Sequence, residues 1–363
     1  MLSLFDTLFY LQRQLFPALE TEMGAISLLD EQFCQVVSLI NLGPFLKPYE
    51  WVGNGCPPHA RVWLIHAFVA KSVYQLPTTG ALIEALKGRP VLRRLCGWES
   101  AGDIPSESTF SRAFAAFAAD ELPQRIHEQM IIMHARQKMV GHVSRDATSI
   151  PAPERPEPKA AEIVRPRLKR GPKAKGEVRE PVPLKRLQLQ TGRTLEENLA
   201  ELPKVCNTGT KKNSHGYKES WDGYKLHIDT IDGDIPVSAL LTSASLHDSQ
   251  VAIPLMQMTA KRVTSLYDLM DSAYDADLIW SFSRQLGHIP IINLMPQRKN
   301  MLPMDPAAAQ RFKQRTSAER VNGLLKERYG ARWVRVRGAQ KVMAHLMFGV
   351  IALTASALFA RLC

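Results

Sequence analysis

Phe312-Lys313-Gln314-Arg315-Thr316-Ser317-Ala318-Glu319-Arg320-Val321-Asn322-Gly323-Leu324-Leu325-Lys326 is the stretch on which the reading of this chain turns. On an α-helix each residue advances by about 100°, so positions four back and seven on return to nearly the same face. Arg315, Glu319 and Lys326 then point one way, with Phe312 on the same stripe a turn further back. A carboxylate flanked by two cations on one helical face can bind a metal ion and a phosphate together. The ordinary alternative is a solvated amphipathic helix with an i,i+4 ion pair. What the rest of the chain brings to this helix decides between them.

Upstream, the pattern alternates between strand and helix. His142–Ile150 reads as a strand with Asp146 in its middle. A lone acid in an apolar strand is costly unless it is paired or metal-bound. Tyr224–Asp229 and Ile235–Ser243, separated by a turn at Gly233, read as a hairpin. Ser249–Arg262 is helical with Asp248 as its expected N-cap, and Ser265–Met270 is a short apolar strand ending at Asp271. Helix Ala276–Leu286, strand Ile289–Leu294, the Glu319 helix and an apolar helix from about Gln340 to Arg361 complete the series.

Three strands first and α/β units after them is the order of a ribonuclease H-like core. The expected fold class is therefore α/β, a ribonuclease H-like mixed sheet flanked by helices. In that topology the first strand is central and the fourth lies beside it, so Asp146 and Asp271 become neighbours. The last core helix can carry Glu319 to the same point. Three acids converging there suit Mg²⁺, which takes oxygen ligands and keeps sites for water or phosphate oxygens. Two such ions activate an attacking oxygen and stabilise the departing one in phosphodiester displacement. The rival acids have ordinary roles: Asp268, in mid-strand, is paired or edge-exposed, and Asp275 and Asp277 stand at a helix start. His227 and His247 suit a structural or DNA-proximal role better than Mg²⁺ ligation.

Residues 1 to 135 read as a mostly α-helical N-terminal domain, and 136 to 363 as the α/β domain. Arg61–Gln75 carries Val62, Leu64, Ile65, Phe68, Val69 and Val73 at helical spacing. A helix begins after Pro105 with Ser106 or Ser108 as N-cap; its Ser108, Thr109, Ser111 and Arg112 could meet DNA as a recognition helix does, or simply face water. From about 151 to 216 the second domain is interrupted by a Pro-rich, basic insertion, most basic at Lys169-Arg170-Gly171-Pro172-Lys173-Ala174-Lys175. Such composition reads as extended or partly disordered, either a solvated loop or an arm that contacts phosphates.

The chain has 363 residues, a formal charge of +11 and a pI near 9.5, which favours a polyanionic partner. Between Arg298 and Lys341 there are 12 Lys or Arg against Asp305, Glu319 and Glu327, so the charge gathers around the Glu319 helix. The 5 cysteines are scattered without a CxxC pair, which excludes a zinc ribbon and a disulfide framework. The apolar run Leu346–Leu358 falls short of the roughly 20 residues needed to span a membrane. A cytoplasmic protein is expected.

Here the chain resembles the DDE transposases of bacterial insertion sequences, over roughly residues 60 to 360. The resemblance rests on Ser144-Arg145-Asp146-Ala147-Thr148, on Asp271-Ser272-Ala273-Tyr274-Asp275, and on Arg315-x3-Glu319-x6-Lys326, the spacing of one large branch. Tyr224-Lys225-Leu226-His227 and Leu246-His247-Asp248-Ser249 are similar to that branch too, and Arg61 to Ala118 resembles its helical N-terminal domain. One departure stands out: the signature usually begins with tyrosine, and Phe312 lacks that hydroxyl.

The resemblance implies a transposase that cuts at transposon ends and joins the freed 3′-OH to target DNA. It implies Asp146, Asp271 and Glu319 as catalytic metal ligands for two Mg²⁺, with Mn²⁺ as substitute. Arg315, Lys326, Phe312, Lys225, Lys169 and Arg170 are the expected DNA contacts, the partner is double-stranded DNA, and a homodimer holds the two ends. The enzyme would work at the nucleoid. The competing readings are a catalytically inactive DNA-binding regulator derived from a transposase, and a nuclease on the same fold.

Overall fold

The computed structural model describes residues 3–53, 58–136, 139–158, 184–212, 216–295 and 303–362. Six strands form one mixed sheet: β1 (Met139–Pro151), β2 (Asn207–Lys212), β3 (Lys218–Ile231), β4 (Ile235–Ser243), β5 (Thr264–Met270) and β6 (Ile289–Ile292). β1 pairs antiparallel with β3 and parallel with β5; β4 flanks β3, and β6 flanks β5 in parallel. The order β4-β3-β1-β5-β6 is the ribonuclease H-like one, with β1 central. β4 is buried at every position from Ile235 to Ser243.

One face of the sheet is covered by the helices Ser249–Ala260 and Asp277–Gln285, whose Ile253, Met256, Ile279 and Phe282 pack with Met270 and Ile292. Across the sheet runs the Thr316–Arg328 helix, packed on β1 and β3. The 22-residue helix Ala339–Ala360 packs against β4 and against the N-terminal helices Leu28–Leu39, Arg61–Val73, Glu107–Ala119 and Leu122–Ala135. It is long and apolar enough to cross a membrane by length and composition, longer than the apolar run alone suggested, but 83% of its most apolar window is buried inside the protein. Gly349 makes this packing possible, since a Cβ there would stand 2.6 Å from the Tyr329 carbonyl oxygen. One hydrophobic core is continuous from Leu11 in the N-terminal helices to Phe359 in the last helix.

Three expectations need correction. Part of the basic insertion does build structure. Arg186–Gln190 and Leu195–Glu201 are helical, β2 extends the sheet beside the first half of β3, and Gln190, Asn198, Leu202 and Cys206 are buried. The amide nitrogens of this buried polar pair are bonded: Gln190 Nε2 donates to the Gln250 carbonyl at 2.8 Å, and Asn198 Nδ2 to Gln257 Oε1 at 3.0 Å. Lys169 and Arg170 lie outside the described residues. Second, Asp248 precedes its helix without a side-chain capping bond. Third, Phe312 to Lys326 is not one helix: Pro306–Phe312 is followed by a 3-10 turn, Lys313–Arg315, before Thr316–Arg328 begins.

Candidate functional site

The register of the two central strands positions the first two acids. β1 and β5 run parallel with Ser144 opposite Leu269 as the last pair, and Asp146 and Asp271 each follow two residues later. Neighbouring strands lie about 4.8 Å apart, so the two carboxylates flank the point where β5 leaves β1. Asp146 is half-buried and accepts a hydrogen bond from Asn322 Nδ2 at 3.0 Å. Burial, and secondarily the negative charge of Asp271, push its carboxyl up to about 6, against the pull of the Ala147 amide, Arg315 and Asn322. Asp271 turns its Oδ1 onto the Ala273 amide at 2.9 Å, capping the 3-10 turn Ser272–Tyr274. Burial raises its carboxyl as well, with the charge of Asp248 adding to the effect.

Beneath these acids sits Tyr274. Its ring is buried, its hydroxyl has no hydrogen-bond partner among the described residues, and Asp248, Asp146 and Asp271 all bear on it electrostatically. Asp248 receives Lys225 Nζ at 2.9 Å, and the same amine donates to the Leu246 carbonyl at 2.9 Å. Lys225, expected at the DNA, is thus mostly buried in an internal ion pair. His227 is fully buried with Nε2 2.9 Å from Thr242 Oγ1, while His247 Nδ1 meets Ser249 Oγ at 2.9 Å. Asp268 takes bonds from Ser283 Oγ at 2.5 Å and His288 Nδ1 at 3.0 Å, and Asp275 from Trp280 Nε1 at 3.1 Å and the Met295 amide at 2.9 Å. Both have the structural employment expected of them.

The helix bearing Glu319 is pinned along β1 at three levels. Ser144 Oγ donates to the Gln314 carbonyl at 3.1 Å, Asn322 meets Asp146, and Lys326 Nζ lies 3.4 Å from Ser149 Oγ. Its first turn is clamped to the β3–β4 turn, where Arg320 donates through Nε and Nη2 to both oxygens of Asp234 at 2.8 and 2.7 Å. Ser317 Oγ adds a bond to Asp234 Oδ1 at 2.7 Å. Glu319 itself is half exposed, and its carboxylate accepts from Arg315 Nη2 at 2.5 Å. The Arg315 guanidinium also lies over the Phe312 ring, 5.6 Å from its centre. So the helix stands at the acids while the Glu319 side chain is engaged by Arg315. Among the described residues no group of three His, Cys, Asp or Glu side chains is gathered to hold a metal.

A basic zone adjoins the acids. Lys326 is half-buried, and its amine is held below the ordinary lysine value by burial and by the charges of Lys211 and Arg332, with Asp146 opposing them. Sequence reading missed Asn322 and Lys211. Nothing marks an asparagine inside an amphipathic helix, or a lysine at the end of a strand hidden in a basic insertion.

A sheet of this order, with one acid on β1 just past its pairing with β5, a second at the end of β5 and cations beside them, fits an enzyme class that works on phosphodiesters in nucleic acid. Residues 142–355, more than half of the chain, match the family described as transposase DDE domain, and residues 25–116 match one described as transposase domain (DUF772). No curated protein and no solved structure matches the chain. The chain belongs to the DDE transposases of insertion sequences. Members of this family act on DNA and generally depend on divalent metal.

Proposed function

We propose that this transposase cuts DNA at the ends of its element and joins the freed 3′-OH to target DNA, with Asp146, Asp271 and Glu319 as the acids for two Mg²⁺, or Mn²⁺ in their place. The observation that carries this reading is the β1–β5 register, which sets Asp146 and Asp271 side by side where β5 departs. The donor set fits a hard cation. Two oxygen-bearing side chains stand together, burial raises the proton affinity of both, the charge of Asp271 adds to this at Asp146 and that of Asp248 at Asp271, and a divalent cation would relieve both. When bound, the metal supplies an activated attacking oxygen and neutralises charge on the departing one.

The chain's own groups would do the rest. Asn322 orients Asp146 through its amide. Glu319, freed from Arg315, would be the third acid to hold the metal, and Arg315 would take a DNA phosphate oxygen in place of the carboxylate. Lys326 holds a neighbouring phosphate beside Ser149, and the Phe312 ring packs against the DNA without the hydrogen bond a tyrosine would make. Both ends must be cut and joined together, so the working form on DNA is a dimer.

Glu319→Gln tests the assignment. End-binding should be largely kept while cleavage in Mg²⁺ disappears, and retained cleavage would overturn the role. Wild-type protein that nicks no DNA in any divalent metal would point instead to a regulator. Cleavage without joining of pre-cut ends to a target plasmid would mean a nuclease.

A further inference from the structure

Between the N-terminal helices and the last helix lies a cavity of about 130 Å³, outside the acidic site. Lys71 from the Arg61–Val73 helix and Lys341 from the Ala339–Ala360 helix face it from opposite sides. The hydroxyls of Ser72, Thr79 and Ser111 and the ring of His345 complete its polar lining, and Phe68, Phe114, Val336 and Phe348 form its apolar walls. Lys71 is mostly buried, and among the described residues its amine has neither a carboxylate nor a hydrogen-bond acceptor. Burial holds that amine down to about 8, and the lysine in turn helps hold His345 down to about 4, after burial itself, so the imidazole is neutral near pH 7. A cation removed from water without a counter-charge is costly. Two lysines and hydroxyls around a small cavity form the donor set of a tetrahedral oxyanion.

His345 also lines a second cavity, of about 210 Å³, whose other walls include Lys326, Arg332 and the exposed Trp333. The two cavities therefore share one side chain, and basic residues line both, from Lys326, which feels the charge of Asp146, to Lys71 among the N-terminal helices.

We infer that Lys71, Lys341, Thr79 and Ser111 form a binding site for a DNA backbone phosphate, on the same strand path whose next phosphates lie at Lys326 and Arg332. The inference deepens the proposed function, resting on DNA as the substrate, and assigns the N-terminal helices a direct hold on it. The cavity is sized for a phosphate group, and a contact to the backbone phosphate fixes position rather than sequence.

The test is fluorescence anisotropy with a fluorescein-labelled DNA duplex across a NaCl series. Lys71→Met should lower the slope of log affinity against log salt by about one, the signature of one lost phosphate contact. Lys341→Ala should do the same, and Lys71→Arg should keep the wild-type slope. Lys71→Met should melt no lower than wild type, because it removes an uncompensated charge. An unchanged slope in folded Lys71→Met overturns the inference. So does a melting temperature raised by inorganic phosphate in wild type but not in Lys71→Met, if the DNA slope is the same in both; the site would then take a free anion. Wild-type protein that binds DNA and fails to cut it sinks the proposed chemistry and leaves the phosphate site to be judged by the slope. Wild-type protein that cuts DNA, with an unchanged slope in Lys71→Met, sinks this inference alone.

Discussion

Arg145 and Asp146 are consecutive on β1, so their side chains leave opposite faces of the sheet, and the two faces treat charge in opposite ways. Arg145 is buried with a counter-charge beside it. Its Nη2 meets Asp229 Oδ2 at 2.6 Å, and the same oxygen takes Thr259 Oγ1 at 2.6 Å. Asp146 has the Asn322 and Ala147 amides and the more distant charge of Arg315, but no ion pair, and a second acid whose negative charge opposes it. A charge that serves the fold is neutralised by the fold. One that serves chemistry is left to be neutralised by what binds.

The comparison can be broken first at Arg145. Arg145→Ala strands Asp229 in the core and should cost about 3–5 kcal/mol of folding stability, measured by urea unfolding. A loss below about 1 kcal/mol would mean that the buried pair is not what holds this face. Asp146→Asn should do the reverse. Cleavage should fall by more than roughly 100-fold, since even partners of metal ligands cost about 10–100-fold. The metal-free protein should meanwhile melt roughly 2–4 °C higher at pH 7.5.

The pH dependence of that gain follows from the sign of the shift. The folded carboxyl titrates at about 6, above its unfolded value of about 4. Ionised Asp146 therefore weakens the folded state fully above pH 6, and the penalty fades as pH falls towards 4. The advantage of Asp146→Asn should vanish in melts at about pH 4; a gain independent of pH would have another cause. The smallest effect belongs to Asn322→Ala, which should lower cleavage by about 10–100-fold and raise the metal concentration needed, with DNA affinity unchanged. Equal metal titrations for variant and wild type would remove Asn322 from the site.

Much of this contrast was legible in the residues. An acid in the middle of one strand and another at the end of a short apolar strand marked β1 and β5, and the order of strands and helices set them side by side. β4 matched its expected limits at both ends, because a fully buried strand is bounded by the turn at Gly233–Asp234 and by Ser243. What stayed hidden were polar groups with internal partners. Gln190 and Asn198 read as solvated in a basic, Pro-rich stretch, yet both are buried against the Ser249–Ala260 helix. The ion pair of Lys225 with Asp248 was hidden for the same reason, since a lysine beside an acidic site looks like a DNA contact until its amine is found bonded elsewhere. The engagement of Glu319 by Arg315 follows directly from their i,i+4 spacing. Helical periodicity allowed that pair but could not say whether metal or arginine holds the carboxylate.

The Ala339–Ala360 helix carries a consequence for synthesis. It fills the centre of a core shared by the N-terminal helices and the sheet, so neither half can bury its apolar surface until this segment has left the ribosome. A message broken before Ala339 should then yield chains that never close their core. Such fragments are expected to be cleared by proteolysis rather than to occupy DNA, and the cell should hold complete copies or none.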